Sequence, residues 1–585
     1  MRPNGGNYAW SAGQFTKTSV ATGSTPTFTG ATGTITFSPM VHQTMDRWGN
    51  VLSVSDPRNS TWVTEFRYNA FNTEIDKRKP IDSVVSDKGV VTSERARERT
   101  LTDRVGRSIG TIDANGNVNL YRYDEAGQLV REYRADQAEL TYQFDIFGNR
   151  TRVRDALGKV TQSTYDRMGR LVSVARPIGT FSYTYDQLGN RLTETNPLGQ
   201  QVQNFYDTRS RLVRMRLHGG QVREYYYTAL GHKHMERDAL SAWQVWSTDA
   251  FGRITNQWDT VAHTFTYNRL GALTAQTNTR GQNLTYQYYS NGELQQITDA
   301  AISTPYGTGA QTWYSFDAAG NRTRERYTQG GVKYKDTYIA YDANNRIVRV
   351  DDNRITLRYE YDANGNRRVI RANWTSNAGQ AQSIDHWYLY DRMNRITLAQ
   401  GILENPGQAN AGINITTTRG VHVGYDGAGN RVTATFYEGG ALVSESYAYD
   451  GNNRLTTINR GGLTTSSRSY DAADRVTETI SYSSPGVINE RRVTAFNTNG
   501  WMTQQQVYNA AGTNTATITY TGYDAVGNLT AYNLQAHGSY TNYYSYAYTR
   551  FGASYREQTV YGSSTWFQPG QTNTTFDANG NVASV

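Results

Sequence analysis

Apolar and polar residues alternate in short stretches along most of the chain. In residues 355–361 the odd positions are Ile, Leu, Tyr and Tyr, and the even positions are Thr, Arg and Glu. Residues 181–185 and 140–144 follow the same pattern. A period of two is typical of a strand with one half-buried face. The charged stretch Glu94–Arg99 fits a short helix or a solvated strand face equally well, and no long amphipathic helix is predicted.

A turn motif follows these strands, and it consists of tyrosine, aspartate, two variable residues and glycine. An aspartate at the first turn position can accept a hydrogen bond from its own backbone two residues on. A glycine at the fourth position can be left-handed without steric cost, as a tight hairpin requires. We therefore predict structural turn roles for Tyr123, Asp124, Gly127, Tyr165, Asp166, Gly169, Tyr185, Asp186, Gly189, Tyr361, Asp362, Gly365, Tyr425, Asp426, Gly429, Tyr523, Asp524 and Gly527.

The exceptions at the fourth position support a conformational role for the glycine. Asn345, Asn394, Asn453 and Asp474 replace it in four copies. Asn and Asp tolerate left-handed geometry better than other non-glycine residues, so these four are predicted to be left-handed. Ser210 is a weaker substitute, and a distorted turn is predicted there.

The motif recurs at a nearly fixed spacing. Between Tyr123 and Tyr288 its tyrosine position returns every 19 to 21 residues, and the period then loosens but continues to Phe576. A second turn lies midway between many motifs, as in residues 113–116, 155–158 and 196–199. One repeat is therefore predicted to be two antiparallel strands and two turns. A fixed period of this length indicates one supersecondary unit repeated many times.

The length of the array predicts an all-β fold in which a long antiparallel hairpin ribbon winds into a hollow spiral shell. About forty strands at ~4.8 Å each give a ribbon ~190 Å long and, with about seven residues a strand, ~23 Å tall. Open sheets rarely exceed about ten strands without curling. A single closed ring would be ~60 Å across, too wide to fill with its own side chains. Only 37% of the residues are hydrophobic, and the mean hydropathy is −0.69.

The repeat pattern divides the chain into three parts. Residues 1–44 are rich in Thr, Gly and Ser and are predicted to form a cap or irregular strands. Residues 45–122 carry degenerate repeats, and residues 123–585 the regular array. Repeat arrays usually need terminal caps, and the final motif at 576–581 is followed by only four residues. We expect the array to be truncated, or to be completed by a further chain.

Charge and composition narrow the function only slightly. The net charge is +8, from 8 Lys and 51 Arg against 51 acidic residues. Many arginines lie just after the turn glycine, where they are predicted to stack on tyrosines and pair with turn aspartates. The absence of cysteine rules out disulfides and thiol catalysis. No apolar run approaches ~20 residues, so no membrane span is predicted, and no secretory signal peptide is visible. The arginines predicted to stack and pair just after the turn glycine are Arg150, Arg170, Arg191, Arg322, Arg367 and Arg431.

Several segments resemble metal-binding or nucleic-acid-binding sites, and each also fits a plain structural role. The segments starting at Asp113, Asp362 and Asp577 have the glycine too early for an EF-hand and no fixed glutamate, so they are predicted to be turns. His232 and His234 would share a strand face but lack a third metal ligand. Most of the 44 tyrosines occupy one repeated structural slot, which argues against nucleic-acid binding by stacking. No nucleophile, phosphate-loop or metalloprotease motif is found, so no catalytic, cofactor or metal residue is predicted.

The motif at this period resembles the YD (Rhs) repeats of bacterial Rhs polymorphic toxins, of the B and C shell components of insecticidal toxin complexes, and of teneurins. The resemblance covers about residues 45–585. It implies a hollow β-cocoon that encloses a toxin, or in teneurins a related shell used in adhesion. Bacterial members usually end the array with a self-cleaving Asp-Pro-x-Gly-Leu segment and a toxin. The Asp-Pro of this chain, Asp56-Pro57, is in the wrong place and context, so those residues are not carried over.

We therefore expect a non-enzymatic shell that encapsulates and helps deliver a toxic polypeptide in bacterial competition or host interaction. Its partners would be the toxin cargo or a second shell chain, with no cofactor and no nucleic acid. Secretion or cell-surface exposure would need a dedicated export system. The alternative is a bacterial surface protein that binds cells or glycans, with an exposed cluster of Trp243, Trp246 and Trp258 as the place to look.

Overall fold

The structure is a computed structural model of the full chain. It describes the backbone of residues 7–11, 14–20, 27–30, 33–36, 40–177, 179–239, 241, 243–258, 261–279, 281–304, 307–352, 354–406, 408–525, 527–536, 540–548, 554–562, 569–573, 575–576 and 582–584. The predicted turn at 577–581 and most side chains of the predicted cap lie outside the described residues. The division of the chain at residues 44 and 122 stays a prediction.

The described residues form 52 β-strands and contain no helix. The first strands are β1 Asn7–Ser11, β2 Gln14–Val20, β3 Thr27–Gly30, β4 Gly33–Thr36, β5 Met40–Met45, β6 Val51–Asp56, β7 Asn59–Tyr68, β8 Glu74–Val85, β9 Val91–Thr102, β10 Ser108–Ile112, β11 Val118–Tyr123, β12 Leu129–Tyr133 and β13 Glu139–Phe144. They are followed by β14 Arg150–Arg154, β15 Val160–Tyr165, β16 Leu171–Arg176, β17 Gly179–Tyr185, β18 Arg191–Thr195, β19 Gln201–Tyr206, β20 Leu212–Arg216, β21 Val222–Tyr227, β22 Lys233–Arg237, β23 Trp243–Thr248, β24 Ile254–Trp258, β25 Ala262–Tyr267 and β26 Leu273–Asn278.

The second half of the chain continues in the same way. Its first strands are β27 Asn283–Tyr288, β28 Leu294–Thr304, β29 Gly307–Phe316, β30 Arg322–Gln329, β31 Val332–Tyr341, β32 Ile347–Asp351, β33 Ile355–Tyr361, β34 Arg367–Thr375, β35 Ala381–Tyr390, β36 Ile396–Glu404, β37 Gly412–Asn414, β38 Val421–Tyr425 and β39 Arg431–Glu438. The last are β40 Ala441–Tyr449, β41 Leu455–Arg460, β42 Leu463–Tyr470, β43 Val476–Ser484, β44 Val487–Phe496, β45 Met502–Asn509, β46 Asn514–Tyr523, β47 Leu529–Ala536, β48 Tyr540–Tyr548, β49 Ser554–Gly562, β50 Pro569–Asn573, β51 Thr575–Phe576 and β52 Val582–Ser584.

Consecutive strands pair as antiparallel hairpins, which confirms the predicted all-β hairpin array. In β15 and β16, for example, Thr164 lies opposite Ser173 and Tyr165 opposite Leu171, so the register shifts by one residue at the motif tyrosine. That shift is a β-bulge, and it recurs at the motif tyrosine of most repeats, as in β17–β18 and β40–β41. Some strands depart strongly from the predicted length of about seven residues. Hairpin β8–β9 has strands of 12 residues each, and β51 has two.

The charged stretch 94–99 lies within β9 and is therefore strand, which decides between its two interpretations. The alternation predicted for 181–185 is confirmed, whereas in 355–361 only Arg358 is exposed and Thr356 and Glu360 are half-buried. Along β17 the residues Gly179, Phe181, Tyr183 and Tyr185 are half-buried and the residues between them are exposed. We call the side of the sheet that carries the motif tyrosines the aromatic face.

The chain divides into two compact units. Unit 1 comprises Met1–Thr141 and Leu284–Val443, and unit 2 comprises Tyr142–Asn283 and Ser444–Val585. Each unit therefore holds two separate stretches of hairpin ribbon. We name them ribbon 1A (β1, β2 and β5–β13) and ribbon 1B (β27–β39) in unit 1, and ribbon 2A (β14–β26) and ribbon 2B (β40–β50) in unit 2.

Among the described residues, the largest side chains that are fully buried are those of Leu398, Val85 and Val369. The main cluster lies in unit 1 and consists of Val85, Val369, Trp387, Leu398 and Ile413. Val85 comes from the long hairpin β8–β9 of ribbon 1A, and the other four come from ribbon 1B. An insertion between motif tyrosines Tyr390 and Tyr425 supplies β37, which pairs with β36 and covers this cluster. The cluster joins the two ribbons of unit 1.

Candidate functional site: the turn edges of the ribbons

The two edges of each ribbon consist of turns, and the turns carry most of the specific polar contacts. We call the Tyr-Asp-x-x-Gly turns motif turns and the alternate ones mid-repeat turns. In the motif turn after β15, Gly169 N donates to Asp166 O at 3.0 Å. Met168 N and Arg170 N donate to Asp166 Oδ1 at 2.9 and 3.0 Å. One carboxylate thus holds both the tip of the turn and its exit.

The predicted turn residues adopt one common geometry. At all six sites the N–H four residues after the aspartate donates to its Oδ1, over 2.8 to 3.0 Å. The six glycines have φ between 75° and 100°. The aspartates are Asp124, Asp166, Asp186, Asp362, Asp426 and Asp524, and the glycines are Gly127, Gly169, Gly189, Gly365, Gly429 and Gly527.

The substituted turns have the same backbone. Asn345, Asn394, Asn453 and Asp474 have φ of 60°, 62°, 63° and 66°, so their predicted left-handed conformation is confirmed. The prediction of a distorted turn at Ser210 is wrong. Ser210 has φ 59° and its N–H donates to Asp207 O at 3.0 Å, because the hydrogen bonds of Asp207 impose the turn whatever residue occupies the fourth position.

Hydroxyl groups of motif tyrosines tie a motif turn to the one before it. The Tyr185 hydroxyl donates to Leu171 O at 2.7 Å, and Leu171 lies two residues after Gly169 of the preceding motif turn. Tyr123, Tyr165, Tyr361 and Tyr425 donate in the same way to Ser108, Arg150, Ile347 and Ile396. The ring of Tyr523 lies 5.0 Å from that of Trp501, which follows the glycine of the preceding turn. The sequence analysis did not predict this link to the preceding turn, although the recurrence of tyrosine at one position of the repeat was a sign of it.

Arginines beside the turn glycine fall into two groups. Directly after the glycine, Arg170 Nε donates to Asp166 Oδ2 at 2.6 Å, its guanidinium lies 4.9 Å from the Tyr185 ring centroid, and its NH1 donates to Asp186 O at 2.7 Å. This confirms both the stacking and the pairing predicted for Arg170. Two residues after the glycine, Arg191 lies over Tyr183 of its own hairpin and pairs with Glu194 rather than with the turn aspartate.

The other predicted arginines show the second arrangement where their contacts are described. Arg150, Arg322 and Arg367 lie over Tyr142, Tyr314 and Tyr359, at 5.5, 5.4 and 4.9 Å from the ring centroids. Their stacking on tyrosine is confirmed, but the ring belongs to the same hairpin because a residue two after the glycine is already back in the strand. Arg322 pairs with Glu325.

In several turns these contacts lower the pKa of the carboxyl. The Arg170 backbone N–H and then the Arg170 side chain lower the pKa of Asp166 below its ordinary value of 3.8. The Asn190 side chain does the same for Asp186, and the Arg253 side chain for Asp249. The ionised carboxylate is therefore the form that the turn favours.

In unit 1 the mid-repeat turns of ribbon 1A contact the motif turns of ribbon 1B. Asn115 and Asn364 hold the two turns together reciprocally, since Asn115 Nδ2 donates to Asp362 Oδ2 at 3.1 Å and Asn364 Nδ2 donates to Asp113 Oδ2 at 2.7 Å. Two ion pairs continue this line: Arg58 with Asp317 at 3.4 Å, and Arg395 with Asp136 at 3.2 Å. We call this line of contacts the seam of unit 1.

A cavity of about 260 Å³ lies along the seam of unit 1, and Asp82, Glu94 and Arg346 are among the residues that line it. Asp82 accepts hydrogen bonds from Asn344 Nδ2 at 2.8 Å and from Arg346 NH2 at 3.3 Å. Burial and then the neighbouring carboxylate of Asp342 raise the pKa of Asp82 above 3.8.

In unit 2 the mid-repeat turns of ribbon 2A contact the motif turns of ribbon 2B in the same way. Lys159 Nζ donates to Asp450 O and to Asn453 Oδ1, each at 2.7 Å. Gln200 Nε2 donates to Thr498 O at 2.7 Å. A β-carbon added at Gly451 would lie 2.8 Å from Pro177 Cβ, so the turn tips are in direct contact. We call these contacts the seam of unit 2.

The aspartate turns and the histidines that resemble metal sites in the sequence make ordinary structural contacts. The Asp113 and Asp362 turns contact each other in the seam of unit 1. His232 lies in a motif turn rather than in β22, where its N–H donates to Thr228 Oγ1, so the predicted shared strand face with His234 is wrong. Among the described residues no group of three or more His, Cys, Asp or Glu side chains could hold a metal ion. None of the described segments is a helix apolar and long enough to cross a membrane.

The three tryptophans do not form the predicted cluster. Val245 pairs with Trp258 and Trp246 with Gln257. Successive residues of a strand point to opposite faces, so Trp243 and Trp258 lie on one face and Trp246 on the other. The period of two in a strand already predicts that Trp243 and Trp246 of β23 lie on opposite faces.

Comparison with known proteins agrees with this geometry. Residues 123–160, 145–180 and 165–201 match the RHS repeat. Residues 123–201 therefore carry RHS repeats. The matched residues include three of the predicted turns and the tyrosine links between them.

Solved structures share the fold of this chain. The TcdB2–TccC3–TEV crystal structure matches with a TM-score of 0.58 and 12% identity, over 97% of this chain and 35% of that one. The Tc holotoxin pore of Photorhabdus luminescens, in a form with mutated TccC3, matches with a TM-score of 0.51 and 13% identity, over 97% and 34%. The chain thus spans about a third of the structures that it matches.

A curated relative is the tRNA3(Ser)-specific nuclease WapA of Bacillus spizizenii. It is 23% identical over 235 residues, which are 37% of this chain and 9% of the nuclease. The matched part is thus a small fraction of that protein.

Proposed function

We propose that the chain is a non-enzymatic part of the wall of a β-shell that encloses a toxic polypeptide and helps deliver it, in bacterial competition or host interaction. The observation that carries the proposal is the seam. A single-layer ribbon alone has two open edges of turns. Where the mid-repeat turns of one ribbon meet the motif turns of another, that edge is closed. The two ribbons then form a wall that is two ribbons high.

The chemistry of the wall supports a container rather than an enzyme. The contacts that recur among the repeats hold neighbouring turns together, through the tyrosine hydroxyl and the arginine that follows the turn glycine. The nuclease name of the curated relative belongs to a protein of which this chain matches 9%, so a catalytic role does not transfer with the repeat.

The matched structures support a second polypeptide in the assembly. The TcdB2–TccC3 structures join two named components, and this chain covers about a third of their length. We infer that cargo and a further shell chain are the partners of this protein, and that it leaves the producing cell by a dedicated export system. Adhesion through a tryptophan cluster gains no support, because the three tryptophans are divided between two faces.

Protease protection of the cargo tests the proposal. The full-length gene product, purified from its producing cell, should retain a polypeptide that resists added protease until the wall is opened. Lys159→Met removes both seam bonds to the Asp450 turn and should make this cargo more sensitive to protease. Lys335→Met is the matched control, since Lys335 is an exposed lysine that pairs with Glu325 away from the seams.

The possible outcomes separate clearly. Cargo that becomes accessible in Lys159→Met and stays protected in Lys335→Met supports the wall. A purified product that retains no polypeptide, or whose polypeptide is digested equally in all three proteins, would show that the chain does not enclose cargo.

A further inference from the structure

The motif turns of ribbon 2A present a row of large apolar side chains to solvent. The third turn position there is Phe147, Met168, Leu188, Leu230, Phe251 or Leu270, with Arg209 in the remaining turn. Phe147, Leu188 and Phe251 are 79, 72 and 84% exposed. Ile146, at the second position beside Phe147, is also exposed. We call this row the rim of unit 2. Neighbouring tips are two strands apart, so the row is spaced at about 10 Å.

The turns that are covered by another ribbon have different tips. In ribbon 2B the third position is Asn452, Ala473 and Asn499, all half-buried. The other two such residues, Val526 and Phe551, lie outside the described residues. Only small or polar residues therefore occupy the described tips on which ribbon 2A lies, whereas apolar residues predominate where no described ribbon covers the turns.

Unit 1, taken by itself, repeats the contrast. The uncovered motif turns of ribbon 1A carry Trp48, Phe71 and Val105 at the third position, all more than half exposed, although Ala126 is small. In ribbon 1B, whose motif turns form the seam, Met393 is the single large residue. The others are Asn291, Ala319, Asn344, Asn364 and Ala428.

The seam of unit 2 shows what kind of surface fits a turn tip. Two close contacts there have a glycine on one side: Gly451 lies against Pro177, and Gly219 lies so close to Asn499 that a β-carbon would overlap it. A large tip thus needs a small residue opposite. Because the rim of unit 2 has large tips, its partner should present small ones.

We propose that the rim of unit 2 is a docking surface for the mid-repeat turn edge of a second YD-repeat chain, whose turn tips there are small residues. The motif turns of ribbon 2B already bind a mid-repeat turn edge, so the rim would extend an interface that exists in the same unit. Exposed apolar side chains in such a row are rare on a surface that stays in water. The proposal rests on the shell function proposed above and names the partner's contact surface.

A second copy of this chain is a poorer partner than a different chain. The exposed mid-repeat turns of ribbon 2B, such as Gly461-Gly462, do have small tips. A copy docked through them would join head to tail and leave a new rim uncovered each time. Such contacts give open chains rather than a closed container.

Single thiols can test the rim, because the chain has no cysteine. Leu188→Cys places a thiol in the rim, and Ala511→Cys places one at an exposed mid-repeat turn of ribbon 2B as the matched control. In the native particle from the producing cell, the thiol at 188 should lose its reactivity with maleimide while the thiol at 511 keeps it. In the isolated 585-residue chain both should react.

A photo-crosslinker attached at residue 188 then identifies the occupant. The expected product is a peptide that contains the mid-repeat turn of a different YD-repeat chain, with Gly, Ala or Ser at its tip. Crosslinks to lipid, to a protein without such repeats or to a second copy of this chain would overturn the proposal, as would a thiol at 188 that stays reactive in the native particle.

A rim variant separates this inference from the shell function. Leu188→Asn combined with Phe251→Asn gives the rim the tips of the covered turns, and should lose the partner while the circular dichroism spectrum is unchanged, since both side chains face solvent. If cargo is protected but the rim thiol is reactive, the docking surface fails and the shell function stands. If the rim is protected but no cargo is found, the shell function fails instead.

Discussion

The side chain with the most consequences at the residue scale is the motif tyrosine. Its ring fills the aromatic face, its hydroxyl holds the carbonyl beyond the previous turn, and the arginine of that turn lies over the ring. In one example Tyr185, Arg170 and Asp166 form a chain that joins two successive hairpins. Where such links fasten a repeat to the one before it, the contacts add along the ribbon in the manner of other repeat proteins.

Removing one hydroxyl should therefore weaken one joint. Tyr185→Phe keeps the ring and the stacked arginine but leaves Leu171 O without this donor, and should destabilise unit 2 by about 0.5–1.5 kcal/mol. Phe496→Tyr is the reciprocal change, since Phe496 occupies the motif tyrosine position beside Arg475. It should be neutral or stabilising. Thermal unfolding of the three proteins measures both effects, and an equal loss in the two variants would contradict the role given to the hydroxyl.

The left-handed turn position makes a second prediction at this scale. A β-carbon added at Gly169 would lie 3.6 Å from Asn149 Oδ1, an ordinary contact, so a larger residue there is limited by its backbone and not by space. With φ at 75°, Gly169→Val should destabilise by about 1–3 kcal/mol. Gly169→Asn should cost much less, because Asn345 and Asn453 occupy the same position. Similar losses for Val and Asn, measured by thermal unfolding, would show that something other than φ determines the cost.

Sequence reasoning worked well at these positions because the turn chemistry is local. The exchange of Gly for Asn or Asp revealed the required φ without any knowledge of the fold. The prediction of a distorted turn at Ser210 failed because it considered only the backbone preference of serine, whereas the hydrogen bonds of Asp207 hold the turn. The partners of the turn arginines could be predicted only by type, since a shift of one residue after the glycine changes which hairpin supplies the tyrosine.

At the scale of elements, the seams are what the sequence did not reveal. The repeat period predicted hairpins, but the residues that join one ribbon to another lie about 250 to 300 positions apart, as with Asn115 and Asn364 or Gln200 and Thr498. The long hairpin β8–β9 and the insertion that supplies β37 were also missed, because both depart from the period. The difference between large and small turn tips was visible in the sequence, and it becomes informative once the covered turns are known.

The seam of unit 1 should respond to pH through Asp82. Its raised pKa means that folding disfavours the ionised form, so this carboxyl costs stability at neutral pH and the cost disappears as the pH falls through the raised pKa toward 3.8. Asp82→Asn should accordingly be more thermostable than the parent at pH 7, with a difference that shrinks on acidification. The groups that face Asp82 are Glu94, Asp342 and Arg346.

Asp186→Asn is the matched control, with the opposite sign. The pKa of Asp186 is lowered, so its ionised form stabilises the turn above pH 3.8 and that contribution is lost as the pH falls through the lowered pKa. The variant should be less stable than the parent at pH 7, and this difference too should shrink in acid. Melting temperatures measured from pH 7 to pH 3 decide the matter, and a pH-independent effect of Asp82→Asn would rule out the carboxyl as its cause.

At the scale of the whole molecule, the composition and the single-layer ribbon lead to one physical requirement. A ribbon with one aromatic face and few fully buried side chains cannot be stabilised by a packed core. Its stability must come from contacts along the ribbon and across the seams. A wall built in this way has no need to fill the space that it bounds, and this is why a container is a natural use for it.

The last prediction is therefore a lumen in the complete particle. Electron cryomicroscopy of the full-length product should show a cavity far larger than a ligand pocket of about 1,000 Å³, and no wider than the ~60 Å ring that a flat ribbon would give. Poorly ordered density inside it would be cargo held without a fixed fold. The Lys159→Met variant should keep the same wall but lose that density, because its weakened seam admits protease and releases what it holds. Solid sandwiches of stacked sheets, with no cavity beyond pocket size, would exclude encapsulation. An empty lumen in a protein that instead binds cells or glycans on its outer surface would favour adhesion as its function.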